Sequence, residues 1–334
     1  MMKNYLSYVV LAGMLLFSSC NDEDEVITVP NGAPIGTYVA AKANLSTLES
    51  ALVRTGLLNT LNESGASFTL YAPSDLAFES AGINLGSLSD AELEQILLYH
   101  VVLGDENTIQ ARSGVRETAN GQVLTIVNNG QTLTLNGASQ TIFEESNYRA
   151  SNGYVHIIDS VLTPLNIVSF FTSLPSFSLS RIDPFDGPTF QITTTRIVDA
   201  LTLADPNDDG TPGELLTTLA GPGPFTVFVP DDFAFFNFES FALGAPLENI
   251  FPDAVGLILL GHVVSGAKNI NSVAATETTL TTQPNAYALG NTINTQIVNG
   301  ELQIAQGSFG PATVKASFQV GNGFIHIIDD VLFY

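Results

Sequence analysis

The chain has 334 residues, 45% of them apolar, with 33 acidic side chains against 10 basic ones and a formal net charge of −23. So acidic a surface repels polyanions, which excludes nucleic acid as a partner and excludes docking on anionic lipid headgroups. Cysteine occurs once and tryptophan not at all, so no internal disulfide is possible and each domain depends on its apolar core.

At the N-terminus, Lys3 precedes an apolar run from Val9 to Phe17, closed by Ser18, Ser19 and Cys20. That is the order of a secretory signal, and the run is short for a membrane span. Cys20 stands where a bacterial lipoprotein signal peptidase would leave a new N-terminus. The segment resembles a lipobox, with Phe17 where Leu is usual. Residues 1–20 are therefore expected to be a lipoprotein signal peptide with a lipidated Cys20; an ordinary signal with an incidental cysteine is the other reading. Several acyl tails would hold the chain far more firmly than one. Asn21-Asp22-Glu23-Asp24-Glu25 opens an acidic flexible tether over 21–35. An acidic run after a lipidated cysteine resembles the surface-export signal of some Gram-negative lipoproteins. The expected location is the outer membrane, exposed at the cell surface, with the N-terminal lipid as the membrane contact.

The first domain is expected over 36–164. Ser46-Thr47-Leu48-Glu49 has capping-box spacing, and Leu45, Leu48, Leu52 and Val53 recur at helical intervals up to a stop at Gly56. Residues 68–72 read as a strand ended by Pro73. Ser89-Asp90-Ala91-Glu92 is a second capping box, opening a helix with Leu93, Ile96, Leu97, His100 and Val101 on one stripe. Residues 123–127 and 132–135 flank Asn128-Asn129-Gly130, a hairpin signal, and 154–158 form a last strand entered through Asn152-Gly153.

A second domain with loop insertions is expected over 165–334. Val255, Ile258, Leu259 and His262 match Leu93, Ile96, Leu97 and His100, and Asn299-Gly300 sits between strands at 293–298 and 302–305. From Phe78 to His100 is 22 residues, whereas from Phe235 to His262 is 27. The largest excess precedes Phe225 and contains Asp183-Pro184-Phe185-Asp186-Gly187-Pro188 and Asp205-Pro206-Asn207-Asp208-Asp209-Gly210. Insertions of this kind go into surface loops, where an added function would sit. The linker Thr163-Pro164-Leu165 is very short and favours a packed, fairly rigid pair.

Two long segments thus occur twice in the same order. Ser67-Phe68-Thr69-Leu70-Tyr71-Ala72-Pro73-Ser74-Asp75-Leu76-Ala77-Phe78 returns as Pro224-Phe225-Thr226-Val227-Phe228-Val229-Pro230-Asp231-Asp232-Phe233-Ala234-Phe235. Asn152-Gly153-Tyr154-Val155-His156-Ile157-Ile158-Asp159 returns as Asn322-Gly323-Phe324-Ile325-His326-Ile327-Ile328-Asp329. One domain copied in tandem explains this, and every histidine falls inside a repeated motif. The strand-and-turn motif, the helix ending in Tyr99-His100, and the closing Asn-Gly-x-x-His segment together resemble the fasciclin-like domain, over nearly the whole chain after the tether. That resemblance implies an α+β fold: two tandem domains, each a β-wedge or sandwich with packed helices. It also implies extracellular adhesion rather than catalysis. The Tyr-His pair of the family, tied in animal members to integrin binding, marks Tyr99 and His100 as candidate ligand-binding residues. The second copy has Gly261-His262 instead.

Other chemistry is sparse. His156 and Asp159 are three apart on a strand, so they point to opposite faces unless the strand ends between them. His100 lies on an apolar stripe, where a neutral, hydrogen-bonded core imidazole is the ordinary outcome; convergence of His100 with His156 would give a minimal metal site. Asp75 and Asp232 are placed to cap the turn or helix that follows them. Asp205, Asn207 and Asp209, followed by Gly210, match the start of a calcium loop, but the twelfth position is Leu216 rather than Glu; a weak calcium site and a plain acidic turn are both open. No Gly-x-Ser-x-Gly, His-Glu-x-x-His or Cys-x-x-Cys occurs, and no nucleophile–base pair is present to build an enzyme on.

The expected function is a surface-anchored bacterial lipoprotein acting as a non-catalytic adhesion or binding module, with no cofactor beyond that calcium. Its partner would be an extracellular protein or glycan, and the chain is expected to be a monomer. The alternative is an accessory glycan-binding lipoprotein of an outer-membrane nutrient-uptake system.

Overall fold

The computed structural model describes residues 32–142, 145–173, 178–181, 190–204, 214–269, 279–282, 292–306 and 310–333. Cys20 and the 183–188 and 205–210 loops lie outside the described residues.

The first copy begins with three helices, α1 (Ile35–Ala41), α2 (Ser46–Thr55) and α3 (Leu57–Thr60). The motif strand β1 (Phe68–Pro73), α4 (Asp75–Ala81), α5 (Asp90–Tyr99) and β2 (Val101–Leu103) follow. Then come β3 (Gly114–Glu117), β4 (Val123–Asn128), β5 (Leu133–Leu135), β6 (Ser139–Gln140), β7 (Tyr148–Ala150) and β8 (Gly153–Ile158). Gly56 closes α2 in the left-handed conformation expected of a helix stop (φ 78°). Ser89 and Glu92 form their reciprocal capping box on α5. Val101 leaves the helical stripe on which it was expected and opens β2, with His100 as the last residue of the helical path.

The second copy contains α6 (Ile167–Thr172), β9 (Ser178–Arg181), β10 (Phe190–Thr193), α7 (Arg196–Leu203) and α8 (Glu214–Ala220). It continues with β11 (Phe225–Pro230), α9 (Asp232–Asn237), α10 (Pro252–Leu260) and β12 (Val263–Ser265). The last strands are β13 (Thr279–Thr281), β14 (Thr292–Val298), β15 (Glu301–Ala305), β16 (Ala312–Val320) and β17 (Gly323–Ile328). The β14–β15 hairpin turns through Asn299 and Gly300, both at positive φ (53° and 84°), the signature of the tightest hairpin connection.

The two repeated motifs are partners in space. β1 runs parallel to β8 with Phe68 opposite Gly153 and Pro73 opposite Ile158. In the second copy β11 runs parallel to β17 with Phe225 opposite Gly323 and Pro230 opposite Ile328. Alternation along each central strand divides the core in two. Leu70 and Ala72 face the helices, in a core with Leu48, Leu52, Leu93 and Leu97. Tyr71 faces the other sheet, packed with Leu124, Ile126, Leu133 and Leu135. The same division recurs around Val227 and Val229 on the helical side and Phe228 on the other. The architecture is α+β, with helices on one side of a wedge of strands.

The copies differ in how the wedge closes. The first has two four-stranded sheets, ordered β2-β1-β8-β7 and β3-β4-β5-β6. Among its described residues the second has a separate β9–β10 pair and one continuous sheet of seven strands, β12-β11-β17-β16-β15-β14-β13. β16 is long enough to pair with both neighbours, and a register shift between Val314 and Ala316 bends it from one half of the wedge to the other. The domains also touch. Val123 of β4 joins the second domain's core beside Phe170 and Phe171, and the buried Thr125 hydroxyl donates to Ser173 Oγ at 2.8 Å. Among the described residues no helix is long and apolar enough to cross a membrane.

Candidate functional site

Residues that appear in both copies are the natural candidates for shared chemistry. The structure spends nearly all of their polar atoms on backbone. The imidazole of His100 is buried; its Nδ1 lies 2.8 Å from Ile96 O and its Nε2 accepts from Leu162 N at 2.9 Å. His262 repeats this with Ile258 O at 2.9 Å and Leu332 N at 2.8 Å. Each ring therefore carries its proton on Nδ1 and fastens the chain after the last strand to the end of the helix. His156 uses the opposite tautomer, with Nε2 donating to Glu106 O at 2.8 Å while Nδ1 accepts from Asn147 N at 3.2 Å. His326 donates from Nε2 to Lys268 O at 2.9 Å and pairs with Ser317 Oγ at 2.8 Å. Burial holds His100, His262 and His326 down at about 4, against a weaker upward pull from their backbone carbonyls, so they are neutral at physiological pH.

This geometry bears on the metal reading of His100 and His156. The lone-pair nitrogen of each ring already accepts a backbone N–H, so neither offers an open ligand position. Among the described residues no cluster of three or more His, Cys, Asp or Glu is placed to hold a metal ion. Strand β8 ends at Ile158, and the Asp159 carboxylate turns to Gln140 N and Ser139 Oγ. The calcium-loop residues Asp205, Asn207 and Asp209 lie outside the described residues.

Tyr99 and His100, the candidate ligand-binding pair, lie inside the first domain. Tyr99 is fully buried, donates its hydroxyl to Val123 O at 2.8 Å and receives Asn136 Nδ2 at 2.9 Å. Burial, eased by the Asn136 hydrogen bond, pushes its hydroxyl up to about 12. The pair holds the fold from within, because its rings fill the space between helix and sheet. A ligand at this part of the surface meets other residues.

The motif aspartates differ from expectation. The caps of α4 and α9 are the preceding residues: Ser74 Oγ accepts Ala77 N at 3.2 Å and Asp231 Oδ1 accepts Ala234 N at 2.7 Å. Asp75 and Asp232 reach across to a different helix. Asp75 accepts Thr47 N at 2.8 Å and Ser46 Oγ at 2.9 Å at the start of α2. Asp232 accepts Arg196 N and Thr195 Oγ1, both at 2.8 Å, at the start of α7. The expected Ser46–Glu49 box is accordingly not the cap of α2. Its open N–H groups are met by a carboxylate 28 residues away in sequence, which satisfies the same orphan donors.

Asn152 and Asn322, which sequence reasoning read only as strand entries, are the clamps of the fold. Asn152 accepts Ile35 N at 3.0 Å and donates to Leu61 O at 2.9 Å and Glu63 O at 3.2 Å. Asn322 accepts Ile167 N at 2.9 Å and donates to Leu219 O and Gly221 O, both at 2.8 Å. Each asparagine ties the first helix of its domain to the turn before the central strand. The glycine after it is obligatory: at Gly153 (φ +145°) a Cβ would lie 1.7 Å from Phe68 O. Repetition of Asn-Gly at the same place in both copies was the available signal.

Scaffold duty thus absorbs the shared polar residues, and a binding site belongs to surfaces where the copies differ. In the second domain α9 runs directly into a π-helical turn, Phe238–Leu243, whereas α4 stops at Gly82 in the left-handed conformation. The extra residues between Phe235 and His262 supply this extension, which carries the exposed Phe241 beyond the exposed Phe233 and Phe236 of α9.

The Fasciclin domain family model matches residues 43–164 and 210–334. Human periostin is 30% identical over 149 residues, which are 42% of this chain and 17% of that protein. Transforming growth factor-beta-induced protein ig-h3 of Sus scrofa is 33% identical over 153 residues, 44% of this chain and 22% of that protein. The cell surface glycolipoprotein MPB83 of Mycobacterium bovis is 31% identical over 139 residues, 39% of this chain and 60% of that protein. The chain therefore spans less than two thirds of the length of these relatives. A FAS1 domain pair from the insect cell adhesion molecule fasciclin I superposes with a TM-score of 0.56 at 20% identity, covering 87% of this chain and 97% of that one; the likeness is one of fold. With two matches that together span most of the sequence and the fold of a FAS1 pair, the chain belongs to the fasciclin domain family.

Proposed function

We propose that this protein is a non-catalytic binding module that mediates attachment at a cell surface, held there by lipid on Cys20. The observation that carries the reading is the consumption of the motif histidines and aspartates by backbone hydrogen bonds. Groups committed to the scaffold are not free to transfer protons or bind substrate, and what remains for function is surface. The relatives support the setting: one is named a cell surface glycolipoprotein and a solved neighbour a cell adhesion molecule.

The test has two arms. Deletion of the protein is expected to weaken attachment of the cells to matrix protein or to one another while growth on polysaccharides is unchanged. A growth defect confined to one polysaccharide, with attachment intact, would assign the protein to glycan capture instead. Separately, Cys20→Ser is expected to release the protein from the membrane fraction. Retention of that variant overturns the lipid anchor without touching the binding role.

A further inference from the structure

In the second domain the helix after the motif strand presents an aromatic face that the first domain lacks. Phe233 and Phe236 stand on one side of α9, 69% and 60% exposed, and Phe241 of the π turn is 85% exposed. Phe235 and Phe238 of the same helical run are buried, so the helix is apolar on both sides and only one is covered. The π turn matters for the alignment. Eight residues past Phe233, an uninterrupted α-helix at about 100° per residue would carry Phe241 roughly 80° off the stripe, and the slower rotation of an i→i+5 turn brings it back. At the equivalent place the first domain has Leu76 and then Glu79, and its helix ends at Gly82.

The surroundings of this face are acidic. Between Arg196 and Lys268 the sequence contains no lysine or arginine. Arg196 itself is engaged by Glu239 and Glu248 and lies 3.7 Å from Asp199. Glu239 belongs to the π turn itself, two residues before Phe241, so the cluster it anchors sets three carboxylates, of Glu239, Glu248 and Asp199, against the single cation of Arg196 beside that turn. A partner must therefore match a dry aromatic centre and a negative edge. Anionic lipid and nucleic acid fail on charge, and a second copy of this chain brings the same negative edge.

We propose that the Phe233–Phe236–Phe241 face docks an extracellular protein segment with an apolar stripe flanked by lysine or arginine. Aromatic anchors at the centre supply the burial, and the acidic rim supplies steering and orientation. The proposal rests on the binding-module reading but concerns one face of one domain, so it fails separately from attachment itself.

The experiment uses the full chain and a fluorescent synthetic amphipathic helix with a leucine stripe and lysine flanks. A peptide with the same stripe and glutamate flanks is the control. Binding of the lysine peptide is expected to weaken at least tenfold in Phe233→Ser/Phe241→Ser and to remain unchanged in Leu76→Ser. The glutamate peptide is expected not to bind. Equal binding by the double variant, or by the glutamate peptide, overturns the proposal. Phe-dependent self-association in sedimentation, or Phe-dependent partition onto phosphatidylcholine vesicles, equally overturns it by naming a different occupant. Thermal unfolding of both variants at the wild-type midpoint establishes that the face, not the fold, was altered. If the double variant unfolds early, Phe241→Lys alone, at a side chain almost fully in solvent, must still repel the lysine peptide. Loss of peptide binding with cell attachment unchanged would leave the binding-module reading standing and confine the proposal to this face.

Discussion

Gln306 lies against Gly261, where a Cβ would sit 3.0 Å from its Oε1 and 3.2 Å from its Nε2. In the first domain the corresponding helix end carries Tyr99, and Asn136, one residue beyond β5, donates to its hydroxyl. Gln306 stands one residue beyond β15 and is buried. The two domains fill the same space in complementary ways, a large ring with a short amide or a bare glycine with a long one. Restoring the ring by Gly261→Tyr should therefore overpack the site and cost about 1–3 kcal/mol. Adding Gln306→Asn should recover a measurable part of that loss. Urea midpoints for the single and double variants decide it, and strict additivity would mean the two positions do not share the space.

Asp75 and Asp232 join two helices each through a side chain rather than through packing. Asp75→Ala leaves Thr47 N and Ser46 Oγ without their acceptor, and a loss of about 1–2 kcal/mol is expected, the size of a removed helix cap. Burial by itself would raise the Asp75 carboxyl, but hydrogen bonds from Thr47 and Ser46 outweigh it and hold the group below the usual aspartate range. Its contribution is accordingly present above the unfolded aspartate pKa and disappears as pH falls through the lower folded value. Because Ser74 makes the local cap, Ser74→Ala and Asp75→Ala should be independent and their losses should add. Coupling of more than about 0.5 kcal/mol in a double-mutant cycle would contradict that separation.

Much of this fold was legible in the sequence, and the parts that were not share a cause. The hairpins at Asn128-Asn129-Gly130 and Asn299-Gly300, the Ser89–Glu92 box and the stop at Gly56 are local chemistry, written in consecutive residues. What Asp75, Asn152 and His100 do depends on partners far along the chain, at Thr47, Ile35 and Leu162, and no spacing rule reaches them. Val101 satisfied the helical stripe and the strand equally well, so periodicity alone could not place it. The repeats showed which residues the two copies share. Only burial showed that the shared histidines, and Tyr99 beside one of them, are scaffold, and that the exposed side chains worth pursuing are Phe233, Phe236 and Phe241 of α9 and the turn that follows it.

The four buried histidines make the protein acid-sensitive. For His100, His262 and His326 the folded value is near 4, below the ordinary 6.5, so the unfolded chain binds protons first. Stability is fully present above about pH 6.5 and is lost as pH falls toward 4, by about 3 kcal/mol for each fully neutral imidazole. Urea unfolding at pH 7.5 and pH 5 should show the loss. His262→Gln, which leaves His326 as the titrating histidine of the second domain, should remove about half of that domain's histidine pH dependence while lowering its stability at pH 7.5. An unchanged slope in that variant would falsify the assignment.

Asp231 and Asp330 work in the opposite sense and belong to the second domain alone. They replace Ser74 and Ser160 of the first domain. Burial raises both carboxyls, with Asp329 adding to each and Asp232 to Asp231. A raised folded value means ionisation disfavours the fold, so the penalty is absent at low pH and sets in as pH rises through that value. Asp231→Ser keeps a cap for Ala234 N and removes the buried charge, so it should stabilise the second domain at pH 7 and change nothing near pH 3. Stabilisation at both pH values would point to packing instead.

The asparagine clamps should be the least replaceable polar side chains outside the core. Asn152→Ala strands the buried Ile35 N–H, at about 1–3 kcal/mol, and also removes the hydrogen bonds to Glu63 O, which is exposed, and to Leu61 O, which keeps Gly36 N. Asn152→Asp keeps the acceptor for Ile35 N but turns a carboxylate toward those two carbonyls, and should be worse than alanine at pH 7 and recover on acidification as the carboxyl gains a proton to donate. Asn322→Ala and Asn322→Asp should show the same order in the second domain, where Ile167, Leu219 and Gly221 take the same roles. Hydrogen exchange locates the effect: loss of protection in α1 after the Asn152 change, and in α6 after the Asn322 change, with the other domain's first helix unaffected. Loss of both helices from either change would mean that the two domains unfold as one unit through the Thr125–Ser173 contact.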